Sequence, residues 1–159
     1  MVMAKAIVVY ASETGNTESV AEEVVKGLEE GGLDVTLKNV EDSDAREVLD
    51  YDLVLLASST WGDEEKELHE SMVDFYEDLK ELAFAGKPAA AFGCGDSSYT
   101  HFCGAVDLLE ERLDEKGAKL LHGLGEGFRV DGDPDQEVLE NAKAWGKEIA
   151  EKFQKSASS

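Results

Sequence analysis

The feature that most constrains the fold of this chain is an alternation of two kinds of segment along its length. Strand-like segments rich in apolar residues are followed, five times over, by segments in which apolar residues recur every three or four positions. The second spacing is typical of amphipathic helices, and most strand-like segments are apolar throughout, as strands buried on both faces are. The strand-like segments are 4–10, 33–40, 51–59, 87–95 and a fifth in two pieces at 118–121 and 127–130, and the helical ones are 16–30, 44–49, 68–79, 102–116 and 134–153.

This order predicts an α/β fold in which a five-stranded parallel sheet lies between two layers of helices. The chain has 159 residues, which suits one domain. No internal repeat or low-complexity linker divides it. We therefore expect a single domain over residues 1–153 and a frayed tail at residues 154–159.

The charge of the chain excludes some classes of partner. There are 36 acidic and 15 basic residues, which gives a formal net charge of −21. Nucleic acids and anionic membranes carry the same sign and would be repelled, whereas a basic docking surface on a partner protein would be attracted. The acidity can instead serve solubility or adaptation to a salty cytoplasm. The sequence does not decide between these roles and the attraction of a basic partner.

The cysteines and the apolar runs indicate a compartment. Cys94 and Cys103 have neither a CxxC spacing nor the pattern of a disulfide framework, so we expect reduced thiols. No apolar run approaches the ~20 residues of a membrane span. The first ten residues also lack the pattern of a signal peptide. We therefore expect a monomer in the cytoplasm, without membrane insertion.

Three polar loops follow strands of the predicted sheet. In parallel sheets, ligands bind outside the carboxyl ends of the strands, where the strand order reverses. The loops after the first, third and fourth strands should therefore form one site. Their sequences are SETGNT (12–17), SSTWGDEE (58–65) and GCGDSSYTHFCG (93–104).

The first of these loops has the composition of a phosphate site. It leads into a predicted helix, whose first turn offers free backbone N–H groups and a partial positive charge. Four side-chain donors and a glycine lie within six residues, although Ser, Thr and Asn are also ordinary helix caps. The Walker pattern GxxxxGK[ST] is absent, and the first strand is not followed by a GxGxxG pattern. A monophosphate is therefore the ligand that fits best.

Aromatic residues in the other two loops suggest a flat ligand. Trp61 stands beside Gly62 just beyond the third strand, and Tyr99 follows two glycines and two serines after the fourth. An exposed aromatic packed on a neighbouring loop would explain either residue alone. Two aromatic side chains on facing loops can instead hold a planar ring between them.

Together, the three loops resemble a known family. SETGNT, SSTWGD and FGCGDSSYTHFCGAVD, with VDGDP at 130–134, are similar to the motifs of short-chain flavodoxins of the sulfate-reducer type, in the same order. The resemblance implies a flavodoxin-like sheet of order 2-1-3-4-5 and non-covalently bound FMN. It also implies low-potential, one-electron transfer between redox partner proteins.

The resemblance assigns cofactor contacts to residues of all three loops. It places the FMN phosphate on the first loop and on Ser59, with Glu13 contributing its backbone amide. It places the flavin ring between Trp61 on the inner face and Tyr99 on the outer face. The full set of cofactor-binding residues is Ser12, Glu13, Thr14, Gly15, Asn16, Thr17, Ser59, Thr60, Trp61, Gly62, Cys94, Gly95, Asp96, Tyr99, Phe102 and Cys103.

Four features depart from the family pattern. Ser58 stands where close relatives often have Cys, and Glu13 replaces a small hydroxyl residue. His101 occupies a position that is often aromatic, so its protonation near pH 6–7 would raise the second flavin potential if it lies at the flavin edge. The segment 122–127 is a few residues longer than expected for a short-chain member.

The loops also predict how the potentials are set. The resemblance implies that the Gly62 carbonyl accepts a hydrogen bond from protonated flavin N5, which favours the semiquinone. The loops contain no Lys or Arg but hold Asp63, Glu64, Glu65 and Asp96. These carboxylates disfavour the anionic hydroquinone, because one charge about 8 Å away costs about 2 kcal/mol at an effective dielectric of about 20. We therefore expect cycling between semiquinone and hydroquinone.

Two functions other than electron transfer make different demands on the sequence. An FMN-dependent reductase of the same fold would need a substrate pocket over the flavin, and Tyr99 is expected to cover that face. A receiver-type signalling domain would need acidic residues after the first strand and a phosphorylatable Asp at the end of the third. The segments Tyr10–Ser12 and Ala57–Ser59 supply neither.

Overall fold

The computed structural model of the chain describes residues 4–11, 16–59, 70–84, 86–95, 104–121, 128–131 and 135–158. The strands β1 to β6 are Lys5–Ala11, Asp34–Asn39, Leu53–Ser59, Pro88–Gly95, Lys119–Leu120 and Phe128–Asp131. The helices α1 to α4 are Asn16–Glu30, Glu70–Asp78, Gly104–Glu115 and Gln136–Ser158. Short 3-10 helical segments are Val40–Asp42, Ala45–Asp50 and Leu79–Glu81.

The strands form one parallel sheet between two helical layers. Their order is β2-β1-β3-β4-β5, and β6 also pairs with β4, which confirms the predicted order. Side chains of the central strands alternate between the two faces. Ile7, Val54 and Leu56 pack in the core under α2 and α3, whereas Val8 and Leu55 pack in the core under α1 and α4.

The fifth strand is divided in two, as the sequence predicts. Lys119 pairs with Pro88, 31 positions earlier, whereas Phe128 pairs with Phe92, 36 positions earlier. The connection between the two pieces therefore has five more residues than an unbroken strand would need. Both pieces pair with β4 on the side away from β3, so the inserted residues do not change the order of the strands.

Three of the four α-helices follow the predicted loops, and their described parts agree with expectation. α1 has the predicted bounds, Asn16–Glu30. α3 is described from Gly104, so the predicted start at Phe102 lies outside the described residues. The same holds for α2, which is described from Glu70, whereas its predicted pattern begins at Leu68.

The predicted short helix at residues 44–49 is a 3-10 segment instead, at Ala45–Asp50. Its start is capped by the Asp44 side chain, which accepts a hydrogen bond from the Arg46 amide. Its end is closed by the i to i+3 bond from the Tyr51 amide to the Val48 carbonyl. A connector of this length forms the tighter helix because it has too few residues for repeated α-turns.

The last helix extends beyond its predicted end at residue 153. α4 continues to Ser158, and Phe153 is buried in the core under α1 and α4. The Gln154 side chain donates a hydrogen bond to the backbone carbonyl of Gly31, just beyond the end of α1. The last turns of α4 are thus held against another element, a contact that the polar composition of the tail does not reveal.

Candidate functional site

The carboxyl ends of three central strands meet at one edge of the sheet. Ala11 pairs with Ser58, and Ser58 pairs with Gly93, so β1, β3 and β4 end in one row. β1 lies between β2 on one side and β3 on the other, so the strand order reverses here. The three polar loops of the sequence follow directly on these ends, at the place where parallel sheets bind ligands.

The described residues include only part of the predicted set. The backbones of Asn16, Thr17, Ser59, Cys94 and Gly95 lie at this edge, in α1, β3 and β4. The remaining predicted residues lie outside the described ranges, as does His101; they are Ser12, Glu13, Thr14, Gly15, Thr60, Trp61, Gly62, Asp96, Tyr99, Phe102 and Cys103.

Thr17 is the side chain that most directly indicates a ligand. It lies in the first turn of α1 and is 0% exposed. Its hydroxyl oxygen is buried and has no hydrogen-bond partner among the described residues. A buried hydroxyl without a partner costs roughly 1–3 kcal/mol, so such a group requires an explanation, and a bound ligand that accepts its hydrogen bond is one. A phosphate oxygen at the start of α1 would accept this hydrogen bond, so the residue fits the group that the sequence predicts.

The start of α1 supplies further donors in the same place. The helix is anchored by Val20, Val24 and Leu28, which form an apolar stripe fully buried against the sheet. This packing holds the N-terminus of α1 at the carboxyl end of β1. The first backbone N–H groups of a helix have no partner within it and carry a partial positive charge. An anion can therefore be bound here without a basic side chain.

The ends of β3 and β4 approach each other closely at Gly93. A Cβ atom at this position would lie 2.2 Å from the backbone carbonyl oxygen of Ser58 and 3.0 Å from Cγ2 of Val106 in α3. Only glycine allows this approach, because every other residue carries that atom. Ser58 itself is fully buried. The close contact holds β4 beside β3, just before the third loop begins.

The described backbone at this edge carries residues of both signs. Arg129 of β6 pairs with Gly93 and so continues the row of strand ends, whereas carboxylates stand at the helix starts. The first turns of α1 and α3 carry Glu18 and Asp107, and β6 ends at Asp131. Lysines begin strands at the opposite edge, at Lys5 of β1 and Lys119 of β5. The start of α1, which has Glu18 and no basic residue in its first turn, is therefore suited to an anion whose charge is held by amides and hydroxyls.

Tyr10 lies beside the site, although the sequence by itself indicates only that it belongs to an apolar strand. Its ring is 7% exposed and packs in the core under α1. Its hydroxyl donates a hydrogen bond to the Glu18 carboxylate. Burial, and then the hydrogen bond to Glu18, raise the pKa of Tyr10 to about 12. A tyrosine at the end of an otherwise aliphatic strand is the signal that could have revealed this contact, since buried tyrosine hydroxyls need a partner.

Comparisons with known proteins identify the family. The family model that describes flavodoxins matches residues 8–146. A flavodoxin of Maridesulfovibrio salexigens is 44% identical over 152 residues, which cover 95% of this chain and 100% of that protein. A flavodoxin of Nitratidesulfovibrio vulgaris is 42% identical over 90% of this chain and 95% of its own length. The structure of oxidised flavodoxin 2 from Bacillus cereus superposes with a TM-score of 0.85 at 42% identity, covering 94% of this chain and 100% of that one.

The family match extends through all the strands that form the candidate site, and the shared fold has the same edge of strand ends. Flavodoxins are FMN-binding electron carriers that exchange electrons with redox partner proteins and are not enzymes. The comparisons thus support the carrier function and give the reductase alternative no better support. The chain belongs to the flavodoxin family.

Proposed function

We propose that this chain binds FMN at the carboxyl edge of its sheet and uses it as a low-potential, one-electron carrier. The phosphate would lie on residues 12–17 and on Ser59, and the ring would lie between Trp61 and Tyr99. Backbone groups of the remaining predicted residues would meet the polar atoms of the flavin. The observation that carries this proposal is the buried Thr17 hydroxyl, which has no hydrogen-bond partner among the described residues.

The electrostatics of the edge support a low potential. Bound FMN supplies a ring that accepts and releases electrons one at a time. The described part of the edge has Glu18 and Asp107 in its helix starts, and the predicted loops add further carboxylates. One carboxylate about 8 Å from the ring disfavours added negative charge by about 2 kcal/mol, or roughly 90 mV. We therefore propose that the carrier works with the more reduced of its two one-electron couples.

A stepwise reduction of the purified protein tests this proposal. We expect the protein to be yellow, to release FMN on denaturation, and to take up two electrons in two well-separated steps. A protein that neither contains nor takes up FMN would refute the cofactor assignment. A single two-electron step in a protein that does contain FMN would refute the proposed redox behaviour alone.

We further propose that the redox partners dock through basic surfaces and that the carrier is a monomer. The support is the net charge of −21 and its distribution over the helices. α2 carries four carboxylates and no basic residue over Glu70–Asp78. A protein surface of this kind attracts a basic partner and speeds its approach at low ionic strength. Electron-transfer rates with a basic partner should therefore fall steeply as salt is added.

We also propose that the carrier works in the cytoplasm. The support is the pair of cysteines, Cys94 and Cys103, whose spacing suits neither a CxxC motif nor a disulfide framework. In the part of the chain that the structure describes, no helix has the length and apolar character needed to cross a membrane. Fractionation of the source cells, with the flavin spectrum as the marker, tests this assignment.

A further inference from the structure

The contact between Tyr10 and Glu18 lies directly beside the candidate phosphate site. Tyr10 is the last residue but one of β1, and Glu18 lies in the first turn of α1. The Tyr10 ring is held in the core under α1, and its hydroxyl donates to a carboxylate oxygen of Glu18. The next residue before Glu18 is Thr17, whose buried hydroxyl has no partner among the described residues. The contact thus joins the strand and the helix on either side of the first loop.

The position of Glu18 in α1 would allow its carboxylate to reach the start of the helix if Tyr10 did not bind it. α1 begins at Asn16, so Glu18 is its third helical residue. A glutamate at that position commonly folds back and accepts a hydrogen bond from the backbone N–H just before the helix, in the arrangement called a capping box. That residue is Gly15 in the sequence, within the predicted phosphate loop. A carboxylate placed there would occupy a phosphate donor and repel the phosphate itself.

We propose that Tyr10 is a positioning residue that holds the Glu18 carboxylate away from the phosphate-binding amides. Through this contact it would set the preference of the protein for FMN over riboflavin, the flavin that lacks the phosphate. The inference rests on the proposed function, because it takes the FMN phosphate to lie on residues 12–17. It concerns how that phosphate is selected, which the family assignment does not address.

A tyrosine is suited to this task for two reasons. Its neutral hydroxyl binds the carboxylate without adding a positive charge near the flavin, which a lysine would add. Its hydroxyl is also a donor over the physiological range, and burial and the contact with Glu18 raise the pKa of Tyr10 further, from 10.0 to about 12. The buried ring leaves the hydroxyl little freedom, so the carboxylate is held in one direction.

The test is a competition between the two flavins on the intact holoprotein. Holoprotein is equilibrated with mixtures of FMN and riboflavin, and the flavin that stays bound is extracted and quantified. In Tyr10→Phe we expect the FMN-to-riboflavin affinity ratio to fall about tenfold, the size expected when one hydrogen bond to a charged group is lost. In the double variant Tyr10→Phe/Glu18→Ala the ratio should recover to within about threefold of wild type, because the competing carboxylate is gone.

The outcomes separate this inference from the proposed function. Tyr51→Phe, a tyrosine before the opposite end of β3, is the matched control and should leave the ratio unchanged. An unchanged affinity ratio in Tyr10→Phe would overturn the role of Tyr10. A double variant whose ratio is no higher than that of Tyr10→Phe would overturn it as well. If Tyr10→Phe does not fold, Tyr10→Met keeps a large apolar side chain without the hydroxyl and should lower the ratio in the same way; an unchanged ratio there would overturn it equally. A wild-type protein that binds no flavin would refute the proposed function itself.

Discussion

At the scale of single residues, the site is recognisable by polar groups whose surroundings are unfavourable without a ligand. Thr17 is buried and its hydroxyl has no partner among the described residues, although the helix around it is well packed. Tyr10, two residues away from the loop, has its hydroxyl satisfied by Glu18. The Thr17 hydroxyl is therefore available to a ligand, and the Tyr10 hydroxyl binds the Glu18 carboxylate.

Replacing Thr17 with valine should separate stability from binding. Valine has nearly the same shape without the hydroxyl, so the flavin-free protein should gain up to about 1 kcal/mol in free energy of unfolding. FMN affinity should fall roughly tenfold, because the phosphate loses one hydrogen bond. Urea unfolding of the flavin-free protein and fluorescence titration with FMN measure the two quantities. Thr36→Val on the edge strand β2 is the control, and an FMN affinity unchanged in Thr17→Val would contradict the assignment.

Tyr10 should also make stability fall in alkali. The pKa of Tyr10 is raised from 10.0 to about 12 in the folded protein. Between these values the unfolded chain releases the proton and the folded chain retains it, so the unfolded state is favoured as pH rises. The stabilisation is therefore complete below pH 10 and lost by pH 12, with a slope of at most about 1.4 kcal/mol per pH unit from this one group. The urea midpoints of wild type and Tyr10→Phe should converge as pH rises over this range. If the two midpoints fall in parallel instead, the pKa of Tyr10 is not raised in the folded protein.

At the scale of elements, the site depends on close contacts between helices and strands. α1 and α4 touch through glycines: a Cβ at Gly27 would lie 2.0 Å from the Lys143 carbonyl oxygen, and one at Gly146 would lie 2.4 Å from that of Val24. α2 and α3, which both follow flavin loops, are joined by Arg112. Its guanidinium lies 3.9 Å from the centre of the Tyr76 ring, and its Nη1 donates to the Tyr76 carbonyl at 2.8 Å. These contacts hold α1 against α4 and α2 against α3.

Gly27→Ala should therefore destabilise the protein even though alanine is the better helix former. The helix preference favours alanine by about 1 kcal/mol. The added methyl group has to push the α4 backbone away, and overpacking of this kind costs about 1–3 kcal/mol, so we expect a net loss of up to about 2 kcal/mol. Thermal or urea unfolding measures the change. Glu29→Ala, at an exposed position of the same helix, should stay within about 0.5 kcal/mol; a stabilised Gly27→Ala would contradict the close approach.

At the scale of the whole molecule, the excess of acidic residues dominates. With 36 acidic and 15 basic residues, at least 21 carboxylates have no basic residue to pair with. Ion pairs do occur among the described residues, such as Lys26 with Glu23 at 2.8 Å, but none of the pairs is fully buried. Exposed pairs contribute roughly 0–1 kcal/mol each, so repulsion between the remaining charges decides how stability responds to salt.

Sodium chloride should therefore stabilise the flavin-free protein. The screening length falls from about 30 Å at 0.01 M salt to about 3 Å at 1 M, which removes most long-range repulsion. We expect the free energy of unfolding to rise by a few kcal/mol over that range, measured by thermal unfolding. A variant in which exposed Glu29 and Glu77 are changed to lysine should gain less from salt. Equal gains in the two proteins would show that screening is not the cause.

The sequence by itself determined the order of strands and helices, the α/β class and the three loops that follow the strand ends. Each of these depends on local periodicity and composition, which neighbouring residues along the chain encode. The tertiary structure alone decided that Thr17 is buried without a partner, that Tyr10 meets Glu18, that Gly93 faces the Ser58 carbonyl and that α4 continues along α1. These features depend on which side chains meet across elements, and that depends on packing in three dimensions, which no local pattern specifies.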